Sequence, residues 1–264
     1  MATIGVTALG QGGKQLGELA GTLARYGMRA LGGHWETTAE KVLTVDWRPM
    51  ADAFVARQAA LWLIVADDKA IADPAVRYGL NLMASSLRSA LGADFPIALL
   101  ASGAAGAAAP AQLRDALVLA PGESWPAKLV ARVHRARGAA GHAIDRLSVH
   151  GNEQLGQWIE LAPAEGSWPG LVFAAAGEGA SIDFQATGPS GGLPEKSVIA
   201  YGQSGLKLES AGRAFTGWAL RNTVGATEAG PVSYYARVRG RPEALLWMPY
   251  TEEDDAQATL FALD

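Results

Sequence analysis

The chain contains no cysteine, which removes disulfides, thiolate zinc sites and thiol nucleophiles together and leaves the redox compartment open. Histidine is scarce. His34, His134, His142 and His150 are the four, and none stands in H-x-x-x-H or H-E-x-x-H spacing, so no metal site is expected. A G-x-S-x-G elbow is absent, which argues against a serine hydrolase. There is no excess of basic charge: the formal net charge is −4, and nucleic acid is not expected as a partner. Long apolar runs are lacking too. The start, "MATIGVTALG", has no basic region or extended apolar core, and "LWLIVA" and "IALLASGAAGAAA" are too short or too rich in Gly and Ala to span a bilayer. No membrane association is expected, and the expectation is a soluble, cytoplasmic protein.

What remains is ample for folding. Apolar residues make up 49% of 264 and charged residues 18%, so a buried core is available and one large or two ordinary domains fit. Through His142 there are 14 basic and 11 acidic residues, and after it 8 and 15, balances of +3 and −7. The opposite signs suggest two units.

The first half alternates apolar strands with amphipathic helices. Strands are predicted at 3–9, 28–35, 61–66, 95–101 and 116–120. Leu16, Leu19, Leu23 and Tyr26 recur at helical spacing before Gly27, and a second helix is predicted from Pro49 through Phe54 and Val55. Asp73-Pro74 reads as an N-cap with proline at the first helical position, and Val76, Leu80, Met83, Leu87 and Leu91 line one face up to Gly92. Ser124 begins a last helix carrying Leu129, Val130 and Val133. Near-continuous apolar strands separated by helices predict a three-layer α/β domain on a five-stranded, mainly parallel sheet.

Beyond the Gly/Ala-rich linker the pattern changes. Short runs such as "QWIELAP", "SIDFQATG", "SVIAYG", "FTGWALRN" and "VSYYARVRG" are separated by Gly, Pro, Asn and Ser clusters, which predicts an all-β sandwich or barrel. The expected division is an α/β domain over 1–138, a linker over 139–145 and the β-domain over 146–264.

The stretch "VTALGQGGKQLG" (6–17) joins the first strand to the first helix. A phosphate loop needs G-x-x-x-x-G-K-[ST]. Gly13-Lys14 supply the G-K pair, but Ala8 stands at the first glycine and Gln15 at the hydroxyl position. Gln15 breaks the dinucleotide fingerprint too, although Gly10 and Gly12 fit it. The expectation is a packed strand-to-helix turn, with Gly10, Gly12, Gly13 and Lys14 the candidate anion site at a helix N-terminus. Asp67, Asp68 and Asp73 cluster at the end of the third strand, where carboxylates can hold a cation or act as a base; a solvated strand end and helix cap is the simpler account. His34, in "GGHWE" at a strand end, is the most site-like histidine.

Two resemblances attach to these segments. "QGGKQLGELAGTLARYGMRAL" (11–31) resembles the opening of the partitioning ATPases, without their G-K-T/S ending. The order of elements, with "FPIALLAS", "ALVLAP" and "LVARVHRAR", resembles a response-regulator receiver domain. That resemblance implies a phosphoacceptor at Asp67 or Asp68 and a fourth-strand hydroxyl at Ser102. It also implies an acidic pair after the first strand and a lysine before Pro121, which "ALGQGG" and Ala120 do not supply. The implied protein is a pseudo-receiver.

In the second half, Arg237, Arg239 and Arg241 alternate and are expected on one strand face, as a solvated or edge strand protected by charge, or as a row that binds phosphates, an acidic partner or acids in its own domain. Trp158, Trp168, Trp218 and Trp247 can stack on sugars, although core or interface places are commoner. "YTEEDD" (250–255) is read as a solvated acidic loop.

No catalytic constellation is complete, and no catalytic residue, metal or cofactor is assigned. The leading expectation is a non-catalytic binding or regulatory protein, with a protein partner or a homo-oligomer. The alternatives are a nucleotide-binding enzyme using residues 10–14 with Asp67 or Asp68, and a carbohydrate-binding protein using the β-domain tryptophans.

Overall fold

The computed structural model describes residues 1–101, 109–122, 124–136, 145–193, 195, 202–250 and 257–264, with the side chains of Lys14 and Ala136 outside the description. The chain divides into two compact units, Met1–Val42 with Asp46–His142, and Leu43–Val45 with Ala143–Asp264.

In the first unit, β1 (Ala2–Ala8) leads through a 3-10 turn (Gly10–Gln15) into α1 (Leu16–Arg25) and β2 (Met28–His34). Then come α2 (Arg48–Ala56), β3 (Leu61–Ala66), α3 (Asp68–Ala72), α4 (Pro74–Leu91), β4 (Ile97–Ala101), β5 (Leu117–Leu119) and α5 (Trp125–Ala136). All five strands are parallel, in the order β2-β1-β3-β4-β5. Every residue of β3 is buried, as a strand covered on both faces must be.

Strand alternation sorts the two faces. Ile4, Val6, Leu61, Leu63, Val65, Ala98 and Leu100 share a core with Leu19 and Leu23 of α1 and Leu129 and Val133 of α5. The opposite face of β1 meets α2: a Cβ on Gly5 would lie 2.7 Å from the Phe54 ring, and Thr7 Oγ1 donates to Met50 Sδ at 3.1 Å. α4 packs on α2. Helices therefore cover both faces of the sheet. The sequence signals at Asp73 and Gly92 hold: the Asp73 carboxylate caps α4 by accepting from Ala75 and Val76 N–H, and Gly92 ends the helix at φ +110°.

From Asp145 onward the described residues contain strands and turns but no helix. The strands are β6 (Arg146–Asn152), β7 (Gly156–Ala162), β8 (Ser167–Trp168), β9 (Leu171–Ala176), β10 (Ser181–Pro189) and β11 (Gly202–Ser210). They continue with β12 (Arg213–Leu220), β13 (Val224–Gly225), β14 (Val232–Arg239), β15 (Ala244–Pro249) and β16 (Thr259–Ala262). One antiparallel sheet runs β6-β7-β14-β13-β8 with β10 also paired to β14; the other runs β11-β12-β9-β15-β16. The register of β10 on β14 shifts between Ile182 and Phe184, and that of β11 on β12 between Gln203 and Leu206. Phe173 of β9 packs on Tyr234 of β14 with ring centroids 5.4 Å apart, and the Gln185 amide of β10 donates to Ala219 O of β12 at 3.0 Å. These two contacts join the sheets. Among the described residues this part of the chain is β-rich, and its paired strands are antiparallel.

Residues 197–201 of the predicted "SVIAYG" strand, residues 139–144 of the linker, with His142 among them, and residues 251–255 of the acidic loop lie outside the described residues. No helix among the described residues is long and apolar enough to cross a membrane.

Candidate functional site

In an open parallel sheet, connections leaving neighbouring strands in opposite directions open a crevice at the strands' carboxyl ends. Here that point lies between β1 and β3, because the chain moves from β1 outward to β2 and then returns to β3 on the other side. The Gly-rich turn closes this crevice from one side. Leu9 N–H donates to Val65 O at 2.8 Å and Gly12 N–H to Leu9 O at 2.9 Å, tying the turn to β3 and to itself.

Each candidate glycine has an intramolecular reason to be there. Gly10 adopts φ +54°, and a Cβ on it would stand 2.7 Å from Asp67 Oδ2. On Gly12 a Cβ would stand 2.8 Å from Val65 O, and on Gly13 2.7 Å from the His34 ring. These three positions of the turn lack a side chain because other groups press against each of them. Gly10→Ala is expected to cost about 1–2 kcal/mol, because the left-handed backbone and the carboxylate contact both oppose a methyl group; urea unfolding measures it.

Asp67 lies against the turn. Its Oδ2 accepts from Gln11 N–H at 3.0 Å and its Oδ1 from Ala70 N–H at 2.8 Å, so one carboxylate latches the turn and caps α3. The Gln11 amide first, and then the Ala70 amide, hold this carboxyl below the usual aspartate range. Asp68 opens α3 and Asp73 caps α4. His34, at the end of β2, lies 3.2 Å from Gly10 O through Nε2, which must carry the proton there, and 3.6 Å from Glu36 through Nδ1. Gly10, Gly12, Gly13, Asp67 and His34 are thus brought together. The Lys14 backbone lies in the turn, its side chain is outside the description, and Ser102 lies outside the described residues.

Two hollows flank this group, one of about 620 Å³ bordered by Trp35, Glu36, Thr38, Lys69 and Asp73, the other of about 410 Å³ bordered by Gln15, Glu18, Leu100 and Trp125. Gln11 and Asp67 border both. Volumes of this size suit small molecules. Among the described residues, no group of three or more His, Asp and Glu side chains is disposed to hold a metal ion.

No family model and no curated protein matches the chain.

The second unit holds a polar cluster that the sequence did not suggest. Glu160 of β7 accepts from Ser233 Oγ at 2.7 Å and Gly191 N–H at 2.8 Å through Oε1, and meets His150 Nε2 at 2.5 Å through Oε2. With the Ser233 proton given to Glu160, Ser190 Oγ is the donor in its 2.6 Å contact with Ser233 Oγ. Burial pushes the Glu160 carboxyl upward, but the imidazole, the Gly191 amide and the Ser233 hydroxyl outweigh it and hold the group below its usual value. The serines bond to the carboxylate and to each other. That differs from a Ser-His-acid relay, in which the hydroxyl meets the imidazole. The cluster fastens the chain after β10 onto β6, β7 and β14.

Among the tryptophans, Trp247 is buried, with its indole N–H on Asp145, so it presents no sugar platform. Trp158, Trp168 and Trp218 are partly exposed. Arg237 and Arg239 share a strand face, as expected, but Arg241 lies past Gly240 (φ +69°), beyond the end of β14.

Proposed function

We propose that the chain is a non-catalytic binding or regulatory protein. A receiver-like α/β domain, its Gly-rich turn closed by its own carboxylate, is joined to a sandwich-like β-domain that makes contacts with a protein or ligand. The observation that carries this reading is the Gln11 N–H···Asp67 bond. In a phosphate loop, backbone amides of the turn point at the ligand. Here one of them already serves an ionised carboxylate, and a second negative group brought beside Asp67 meets like-charge repulsion.

The strand order β2-β1-β3-β4-β5 supports the receiver resemblance, being one of the two common doubly wound orders. Phosphotransfer is not part of the reading. Both Asp67 oxygens are occupied by amides, and the segment after β1 is Leu-Gly-Gln-Gly-Gly, without the carboxylates that hold magnesium in that family. The Phe173–Tyr234 and Gln185–Ala219 contacts between the two antiparallel sheets support a sandwich.

Thermal unfolding with millimolar MgATP, MgGTP or NAD is expected to show no saturable stabilisation, since a ligand binding the native state alone would raise the transition with concentration. Treatment with acetyl phosphate and magnesium is expected to leave the intact mass unchanged. A saturable shift with one nucleotide would replace this reading with a nucleotide-binding enzyme using residues 10–14 and Asp67. A phosphoryl adduct at Asp67 or Asp68 would restore a working receiver.

A further inference from the structure

The register break in β10 has a chemical result on the outer face of its sheet. Between Ile182, opposite Val238, and Phe184, opposite Arg237, the strand carries one extra residue, Asp183. A bulge of this kind re-aims side chains that a regular strand would send to opposite faces. Phe184 meets the Trp158 ring edge-on, centroids 5.6 Å apart at 63°. Asp183, its neighbour in sequence, reaches Arg237 Nε at 2.7 Å and Arg239 Nε at 2.6 Å on the adjacent strand. Arg237 also lies over the Trp158 ring at 5.7 Å, and the Trp158 indole N–H is held by Leu155 O at 3.1 Å. Leu155 and Phe184, 46% and 37% exposed, are two of the few large apolar side chains left open to solvent.

We propose that this bulge-built patch, formed by Leu155, Trp158, Phe184, Asp183, Arg237 and Arg239, is a docking site for an acidic peptide segment that carries an apolar anchor residue. Two guanidinium groups share one carboxylate, which leaves a local charge of +1. Both reach Asp183 through Nε, and among the described residues their Nη groups make no other hydrogen bond. Free guanidinium donors at a surface pair with carboxylates in two-point contacts. The cationic spot stands in a half of the chain whose balance is −7, so it is a local departure from its surroundings. Exposed aromatic and arginine side chains fixed in place by neighbours are also the usual composition of interface hot spots. A sugar is the weaker fit. Arg237 already lies over the Trp158 ring and Phe184 stands on its edge, so the pair forms a notch for a side chain in place of a flat platform for a pyranose.

The test uses the full chain and fluorescence anisotropy with a labelled random copolymer of glutamate and tyrosine. Saturable binding is expected, weakened by salt. The expected loss is about tenfold or more for Phe184→Ala, which removes the anchor contact, and again for Arg239→Gln, which removes a donor pair. Glutamate homopolymer is expected to bind more weakly than the copolymer, and lysine homopolymer not at all. Both substituted side chains are exposed, and circular dichroism with melting confirms the fold; should Phe184→Ala unfold, Arg239→Gln alone decides. No saturable binding of the copolymer, or binding that neither variant weakens, overturns the proposal. Polygalacturonate binding more tightly than the copolymer, with the same loss on Arg239→Gln, also overturns it and assigns the patch to an anionic saccharide.

Discussion

Replacing Glu160 by alanine is expected to destabilise the second unit by about 3–5 kcal/mol, the usual cost of removing one partner from a buried ionic cluster. The side chains of Glu160 and His150 are only 10% and 13% exposed. Without the carboxylate, the Ser233 hydroxyl, the Gly191 amide and the imidazole all lose their acceptor, and each becomes a desolvated group without compensation. Urea unfolding of the full chain measures the loss, and an unchanged transition would show that water replaces the carboxylate at no cost. The pH dependence follows from the lowered carboxyl. A group whose folded value lies below its unfolded value, here 4.5, stabilises the native state above that unfolded value. The contribution then disappears as the pH falls through the lower, folded value. The wild-type melting temperature is therefore expected to drop on the acid side of pH 4.5. Glu160→Gln, which cannot ionise, is expected to start less stable and to show a flatter acid limb. Equal acid slopes for the two proteins would remove Glu160 from the account.

Trp62→Ala is expected to cost about 3–5 kcal/mol in the first unit, from lost burial and the cavity left behind. Trp62 is fully buried in β3, and its indole N–H donates to Thr7 Oγ1 at 2.9 Å across β1. Thr7 in turn donates to Met50 Sδ of α2, so a hydroxyl connects the middle strand of the sheet to both a neighbouring strand and a covering helix. Thr7→Val keeps the shape and strands the buried indole N–H, an expected loss of about 1–3 kcal/mol. Denaturant midpoints of the two variants separate the packing and hydrogen-bond contributions. If Thr7→Val were neutral, the Trp62–Thr7 bond would contribute nothing that packing does not already provide.

The α/β portion was legible because its signals are local. The run "LWLIVA" at 61–66 is β3 as read, the proline at 49 lies in the first turn of α2, and the Asp73-Pro74 cap and Gly92 stop bound α4. The helix predicted from Ser124 begins at Trp125. Where the sequence was silent, the determining contact was distant. Gly10 is needed beside Asp67, 56 residues from Gln11 in the latch bond, and no window along the chain contains both. The Glu160 cluster draws on β6, β7, β14 and the end of β10, whose proximity exists only after the strands have paired. Two-residue strands such as β8 and β13 are too short for alternation to show. The arginine row was visible as a row. Its anchor was not, because Asp183 reaches it as the single extra residue at a bulge in another strand.

The bulge in β10 has a further consequence. β10 and β11 are nine residues each, longer than any other strand in the second unit, and among the described residues each is paired on one side only. A long, regular, one-sided strand is a template on which another chain can add and begin a fibril. Both of these strands carry a register break, which twists the backbone and interrupts the row of amides and carbonyls that an incoming strand would copy. The bulge that brings Asp183 to two arginines therefore also interrupts an edge on which a second copy of the chain could add.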